Sequence, residues 1–392
     1  MRHIHPFPAR MAPEIALSRL SEMRDGQLVL DPMCGSGMVL NVASRQGLRS
    51  IGVDSDPLAQ TISSATSVSV DDSVVRRETQ RLIEQAMKDT KTQCTLDWID
   101  SDQETTSFID FWFDTKQKMQ LRALSYNLVV RQIVQNEKIN NLLKIGISRL
   151  IITKNPKASL ARDTAHSRPH RVVDTNDFDV FRALPKSMDH VLSALSPKEV
   201  RCDSKTYLGD AKSMQMIQDS SVDCIVTSPP YLNAIDYMRG HKFSLVWFGY
   251  RISDLRRIRA SAVGAERKAS IDKDSEFAAL EKEHDLSDLT PREVSILFRY
   301  FNDLRSLLRE SKRVLKGGGS ATYVIGNSVL QGKSIKNNTF LKKAAKTVGF
   351  EIESEITRKI PENRRYLPIA VAKDNALSKR LREEHIIVLK KL

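Results

Sequence analysis

Residues 227–231, TSPPY, hold the most informative spacing in the chain. Two successive prolines have fixed φ angles and no backbone N–H. Such a turn offers acceptors, the Ser228 hydroxyl oxygen and the Pro229 carbonyl, with the Tyr231 ring beside them. That suits an exocyclic amino group on an aromatic base, which has two N–H donors to satisfy and a lone pair delocalised into its ring. Acceptors fixed on both N–H bonds pull the nitrogen toward tetrahedral geometry and free the lone pair to attack an electrophilic methyl. Tyr231 would stack on the base face, worth about 1–3 kcal/mol. A base inside a duplex is out of reach of such a turn, so the target nucleotide must flip out. The plainer alternative is a surface proline turn. The apolar run Val222, Cys224, Ile225 and Val226 leading into it, within an α/β pattern, favours the chemical reading.

A second cluster lies near the N-terminus. An apolar run at 27–31 ends in Asp31 and Pro32, followed by Cys34, Gly35, Ser36 and Gly37 and a helix-like stretch. Small residues at a helix start let backbone approach a ligand closely. A dinucleotide fingerprint would need a third glycine where Leu40 stands, so a pyrophosphate is not the favoured ligand. A second strand, 49–54, ends in Asp54, placed to accept from ribose hydroxyls. Asp210 ends another short strand and would accept from an adenine amino group. A single acid at a strand end is more often a turn or helix cap; several beside a glycine loop are harder to dismiss. The stretch at 326–334 resembles a phosphate-binding loop but has Asn327 where that pattern needs glycine. Gly317, Gly318 and Gly319 read as the stop of an amphipathic helix.

The elements that must position these residues alternate in the manner of an α/β sheet. Strands are expected near 27–31, 49–54, 207–210, 222–227, 320–327, 350–360 and 385–391, with helices between them. Residues 58–200 break the alternation and carry helical spacing at 73–89, 116–135 and 179–195, which reads as a mainly helical insertion. The expected organisation is a discontinuous domain of 1–60 and 200–392, an insertion at 61–199, and a second polar insertion at 251–290.

Charge narrows the partner. Lys and Arg number 61 against 48 Asp and Glu, a net charge of +13, which favours a polyanion. Residues 154–171 concentrate it, with Lys154, Lys157, Arg162, Arg168 and Arg171 against Asp163 alone. Arg162, Arg168 and Arg171 are candidates for phosphate contacts, and Arg168 or Arg171 for reading guanine. The basic stretch at 251–259 and Arg239 are further candidates. His166 and His170 lack further ligands nearby, so no metal is expected. Trp247 and Phe248 read as core. The four cysteines include no CxxC pair, and no apolar run reaches the roughly 18 residues of a membrane span. With no signal-peptide pattern at the N-terminus, a cytoplasmic location and no membrane association are expected.

Taken in order, DPMCGSG, GVDSDP, LGD and TSPPY resemble the successive motifs of the S-adenosylmethionine-dependent amino-methyltransferases of DNA. The N-terminal HPFPARMAPE resembles the motif that precedes the glycine loop in members with unpermuted order, and residues 363–368 resemble their C-terminal part. The resemblance implies a class I methyltransferase fold, Rossmann-like, with a seven-stranded, mainly parallel sheet and a reversed last strand. It implies S-adenosylmethionine as cofactor and duplex DNA with a flipped base as partner, with a cognate restriction endonuclease as a family-level expectation. Asp31, Gly35 and Gly37 would line the methionine part, Asp54 would hold the ribose and Asp210 the adenine, with Pro32 and Ser36 also binding the cofactor. Ser228, Pro229, Pro230 and Tyr231 would hold the target base. His5, Pro6, Arg10 and Pro13 would close the cofactor pocket. Serine at the first position of the tetrad resembles the cytosine-N4 group. Adenine-N6 methylation, methylation of an RNA base, and a non-catalytic nucleic-acid binder on the same scaffold are the alternatives. Cytosine-C5 chemistry is disfavoured, since the chain has no Pro-Cys dipeptide.

Overall fold

The computed structural model describes residues 3–7, 11–66, 68–92, 94–195, 201–202, 204–232, 236–265, 275–283, 286–330, 333–360 and 383–392. Arg10 and residues 363–368, both singled out above, lie outside the described residues.

Seven strands form the central sheet: β1 Leu28–Asp31, β2 Arg49–Asp54, β3 Ser204–Leu208, β4 Val222–Thr227, β5 Leu315–Gly326, β6 Glu351–Lys359 and β7 Glu383–Lys390. Their spatial order is β6-β7-β5-β4-β1-β2-β3. All neighbouring pairs from β3 to β5 are parallel, whereas β7 runs antiparallel to both β5 and β6. The expected sheet with its reversed last strand is therefore present. β1 is buried along its whole length, as a parallel strand covered on both faces must be.

The helices are α1 Pro13–Leu20, α2 Met38–Arg45, α3 Pro57–Thr66, α4 Asp72–Asp89, α5 Asp97–Asp100, α6 Gln103–Trp112, α7 Thr115–Ser125, α8 Glu137–Ile151, α9 Val180–Leu195, α10 Met238–Leu245, α11 Ile252–Ser261, α12 Ser275–Glu283, α13 Pro291–Val314 and α14 Asn337–Val348. α1 and α2 bury Ile15, Leu20, Leu40 and Ala43 against Val29 and Val226 of the sheet. α13 and α14 cover β1, β4 and β5 through Phe301, Leu304, Phe340 and Leu341. Thr290 starts α13 with a reciprocal capping box to Glu293 and Pro291 in the first turn. α3 to α10 share a third core that includes Leu82, Leu124, Leu143, Leu184 and Trp247. Among the described residues no helix is long and apolar enough to cross a membrane.

Three local expectations are corrected. The helical spacing at 116–135 does not give one helix: α7 ends at Ser125, a π-helical turn spans Tyr126–Val130, and Gln132 turns left-handed at φ 48°. The buried Asp89 carboxylate accounts for the break, because Asn127 and Arg131 both donate to it at 2.8 and 3.0 Å. An uncompensated buried charge costs more than the lost helical regularity. The three glycines at 317–319 are not a helix stop. α13 finishes at Val314 and β5 runs through them, with Gly318 N–H donating to the Lys391 carbonyl and Lys391 N–H to that of Gly319. The basic stretch at 154–171 is not a plain loop. Ala161–Arg162 pairs antiparallel with His170–Arg171, and a 3-10 turn, Thr164–His166, closes the ribbon.

Candidate functional site

β1 and β4 are adjacent and parallel, and the chain leaves them toward opposite neighbours, β2 on one side and β5 on the other. Such a reversal opens a crevice beyond the carboxyl ends of the two strands. The glycine loop leaves β1 into that crevice and TSPPY leaves β4 beside it. One hydrogen bond joins them: the buried Thr227 hydroxyl donates to Asp31 Oδ1 at 2.7 Å.

Around the glycine loop, Gly35 and Gly37 have φ of 48° and 75°, a left-handed backbone that side chains resist. Gly37 also sits against α3, where a Cβ would lie 2.5 Å from Thr66 Oγ1 and 3.0 Å from the Ser63 backbone. Gly35 N–H donates to Asp54 Oδ2 at 2.8 Å, and Asp56 N–H donates to Asp54 Oδ1 at 2.9 Å. Pro32 is buried, and Ser36 is half-buried. Asp210 follows β3 next to β2, with Gly209 N–H donating to the Asp54 carbonyl at 2.9 Å. Its carboxylate closes a turn by accepting from Lys212 N–H at 2.9 Å and keeps 41% of its side-chain surface exposed. Asp31, Gly35, Gly37, Asp54 and Asp210 thus occupy one edge of three neighbouring strands.

Burial dominates the electrostatics. It pushes the Asp31 carboxyl up to about 7 from its ordinary 3.8, with Thr227 and Met33 as donors opposing the rise and the Asp54 charge adding to it. Asp54 rises to about 6, through burial and then the charge of Asp56. Asp56 goes the other way. Burial would raise it, but the His241 imidazole, 2.6 Å from Asp56 Oδ2, and the N–H groups starting α3 hold it below the usual range. These are acids whose ionised forms become favourable when a cation and donors arrive.

On the other side of the crevice, Ser228 is half-buried and its hydroxyl has no protein partner among the described residues. Pro229 is buried. The turn is braced from behind: Tyr300 OH donates to the Pro230 carbonyl at 3.4 Å and Ser328 Oγ to that of Leu232 at 2.5 Å. The Tyr231 ring packs on the core beneath β5, its hydroxyl pushed well above the usual range by burial, with Glu384 adding to the rise and the Gly326 backbone opposing it.

The N-terminal segment distributes itself differently from expectation. His5 is buried, its Nε2 2.8 Å from Ser148 Oγ, which is in turn 2.8 Å from Ser244 Oγ on α10. It ties α8 to α10 rather than facing the glycine loop. Pro6 is half-buried and its carbonyl lies 2.9 Å from His5 Nδ1, while Pro13 opens α1. Among the described residues of this segment, Phe7 covers Gly35, at 3.4 Å from the position of a glycine Cβ, and it stacks on Tyr237 at 5.0 Å. Sequence reasoning missed Phe7, Thr227, Asp56 and His241. The Asp56-Pro57 pair is a helix-start signal that points to Asp56, but nothing in the sequence joins it to His241, 185 positions away.

The basic ribbon packs on α10, immediately downstream of TSPPY. The Thr164 carbonyl lies 2.4 Å from where a Cβ on Gly240 would be, and Ser167 Oγ donates to the Tyr237 carbonyl at 3.4 Å. Arg162 and Arg168 are exposed on this ribbon. Arg171, exposed as well, has its guanidinium over the Phe111 ring at 5.0 Å and donates to the Val173 carbonyl. Arg239 and Arg259 share the Asp236 carboxylate at 3.1 and 2.6 Å. Trp247 and Phe248 are buried core residues.

The strand order with its single reversed strand, and a glycine loop and an acceptor turn at the switch point, define the class I methyltransferase fold. No protein-family model matches the chain. The chain is similar to type II methyltransferases: it is 21% identical over 400 residues to M.MvaI of Kocuria varians, covering 92% of this chain and 84% of that protein. It is 21% identical over 398 residues to M.MjaII of Methanocaldococcus jannaschii, covering 78% of this chain and 73% of that protein. The match to M.AvaI of Anabaena variabilis is 26% over 161 residues, 36% of this chain and 33% of that protein.

The two raised carboxyls set a pH dependence with a definite sign. Their contribution to stability is full below their ordinary value of 3.8 and is lost as pH rises through about 6 and 7. Asp31→Asn keeps an acceptor for Thr227 and removes a buried charge. In thermal melts without ligand it should lie above the wild type by a few degrees at pH 8, with a clearly smaller offset at pH 5. Equal offsets at both pH values would show that Asp31 does not titrate in this range.

Proposed function

We propose that the protein is an S-adenosylmethionine-dependent DNA methyltransferase acting on the exocyclic amino group of a flipped base, with cytosine N4 as the target. The observation that carries this reading is the Thr227–Asp31 hydrogen bond, which keeps the proline turn with its Ser228 and Pro229 acceptors beside a glycine loop edged with carboxylates. The similarity to type II methyltransferases supports the same reading.

The residues fit the cofactor in chemistry. Asp54 and Asp210 would accept from ribose hydroxyls and an adenine amino group. Asp31, with Pro32, Gly35, Ser36 and Gly37, would line the methionine part, where a cationic group would draw the raised Asp31 carboxyl into its ionised form. When bound, S-adenosylmethionine supplies an electrophilic methyl on a sulfonium. The chain's own part is positioning and hydrogen bonding. Ser228 Oγ and the Pro229 carbonyl would each accept one N–H of the target amino group, and Tyr231 would present its ring to the base. The target nitrogen would take that methyl directly, with no covalent enzyme intermediate. One N–H proton then leaves along the hydrogen bond to Ser228 Oγ toward solvent. Serine at this position supports cytosine N4 over adenine N6.

In this reading residues 1–60 and 200–392 hold the cofactor and the reacting base, while the insertion at 61–199 contributes DNA recognition. The basic ribbon and α10 make one cationic border along the turn that receives the base. Arg162, Arg168 and Arg239 would bind flanking phosphates. Arg171 would instead stiffen the ribbon against Phe111.

Ser228→Ala should lower turnover by about two to three orders of magnitude, the scale of losing one positioned hydrogen-bonding group, with cofactor affinity unchanged. Mass analysis of nucleosides from the methylated product should show N4-methylcytosine. N6-methyladenine would overturn the base assignment, and undiminished turnover would overturn the role of the turn. Arg168→Ala and Arg239→Ala should each flatten the dependence of log affinity on log salt by roughly 0.9. Slopes equal to wild type would remove these two residues from the DNA contact.

A further inference from the structure

A second cavity, of about 360 Å³, lies between α3, the chain leaving the π-helical turn, α8 and the segment after α10. It is large enough for a small ligand. No residue of the glycine loop or of TSPPY lines it. Carboxamides crowd its wall, with Gln60, Gln132, Gln135, Asn140 and Asn141 alongside Lys144, the Glu137 carboxylate and Tyr250.

Two independent features mark it as more than a surface fold. Lys144 is half-buried on α8, and among the described residues its ammonium has neither an ion pair nor a hydrogen bond. Burial lowers its pKa, and the Glu137 carboxylate, seven positions earlier, only partly offsets that. A cation withdrawn from water without a partner is costly, and an arriving anion removes the cost. Nearby, Asn140 Oδ1 is buried with no donor. The second feature is backbone strain. Gln132 lines the cavity with φ 48°, two positions beyond the π-helical turn that Asp89 sets, and such irregularities concentrate where ligands are held.

The wall chemistry specifies the ligand class. Carboxamides carry a donor and an acceptor side by side, matching the edge of a nucleobase, although Gln60 and Asn141 already donate to the Thr206 and Ser64 hydroxyls. The Tyr250 ring offers a stacking face, and Lys144 a counter-charge for phosphate. We propose that this cavity is a nucleotide-binding site, with the phosphate at Lys144 and the base edge on the carboxamides. The nucleotide is either a free mononucleotide or one unit of a bound strand. The inference does not depend on the methyltransferase reading.

The test uses the full chain with S-adenosylhomocysteine at saturation, so that the cofactor cleft is filled. Thermal shift and calorimetry with dAMP, dGMP, dCMP and dTMP should reveal at least one that binds alongside it. In Lys144→Met that affinity should fall about tenfold or more, while the ligand-free variant melts at or above the wild type. Gln132→Gly, which relieves the positive φ, should likewise weaken binding without loss of stability. If no mononucleotide binds, a duplex oligonucleotide should bind Lys144→Met about tenfold more weakly, with S-adenosylhomocysteine affinity unchanged. Displacement of the mononucleotide by S-adenosylhomocysteine overturns the proposal. So does an absence of mononucleotide binding together with unchanged duplex affinity, or variants that melt well below the wild type. Failure of S-adenosylhomocysteine to bind counts against the proposed function alone, and the nucleotide titration is then read without it.

Discussion

The hydrogen bond from Thr227 to Asp31 is the contact on which the candidate site depends. It spans 196 positions of sequence and closes the gap between the ends of β1 and β4. Parallel pairing of these strands puts the two loops side by side, but pairing alone leaves the crevice free to splay. A buried hydroxyl aimed at a buried carboxylate fixes the separation, because neither group has water to turn to. The same burial leaves Asp31 reluctant to ionise. The site is therefore built around a charge that its own burial disfavours, and the fold tolerates that tension because the sheet and its helices hold the strand ends in place.

A second set of buried polar contacts links the crevice to the helical body. His241, on the helix that follows TSPPY, meets Asp56 two residues beyond Asp54. The chain from His5 through Ser148 to Ser244 pins α8 to the same helix, and Phe7 lies over Gly35 while stacking on Tyr237. The helices between β2 and β3 are thus fastened to the segment downstream of the acceptor turn. The basic ribbon follows from this arrangement, since it docks on α10 through Gly240, where backbone meets backbone and no side chain fits.

Much of the sheet was legible because each strand announces itself locally. Apolar runs of strand length ending in Asp31, Asp54 and Thr227, with helical spacing between, specify parallel strands and crossovers, and right-handed crossovers leave few orders to choose among. The glycine loop and TSPPY were legible for the same reason: each is a contiguous string whose backbone restrictions are intrinsic to glycine and proline. The helical body was legible only in outline. Spacing at 116–135 fits a helix, yet Asp89 reaches across from α4 and draws Asn127 and Arg131 into a different turn. The glycines at 317–319 match a helix stop locally, but pairing with the chain at Lys391 recruits them into β5.

Sequence by itself determined the kinds of chemistry available: an acceptor turn with no N–H donors at its prolines, a backbone free to go left-handed at Gly35 and Gly37, acids at strand ends, and an excess of positive charge. These are properties of residues and of their immediate neighbours, and they survive in any fold that keeps the strings intact. Tertiary structure decided which of them meet. It joined Thr227 to Asp31 and His241 to Asp56, sent His5 into the helical body while Phe7 took the glycine loop, laid Arg171 over Phe111, and left Lys144 half-buried with no ion pair or hydrogen bond among the described residues. Each outcome rests on burial and on pairings between residues far apart in the chain, and neither is written in local spacing.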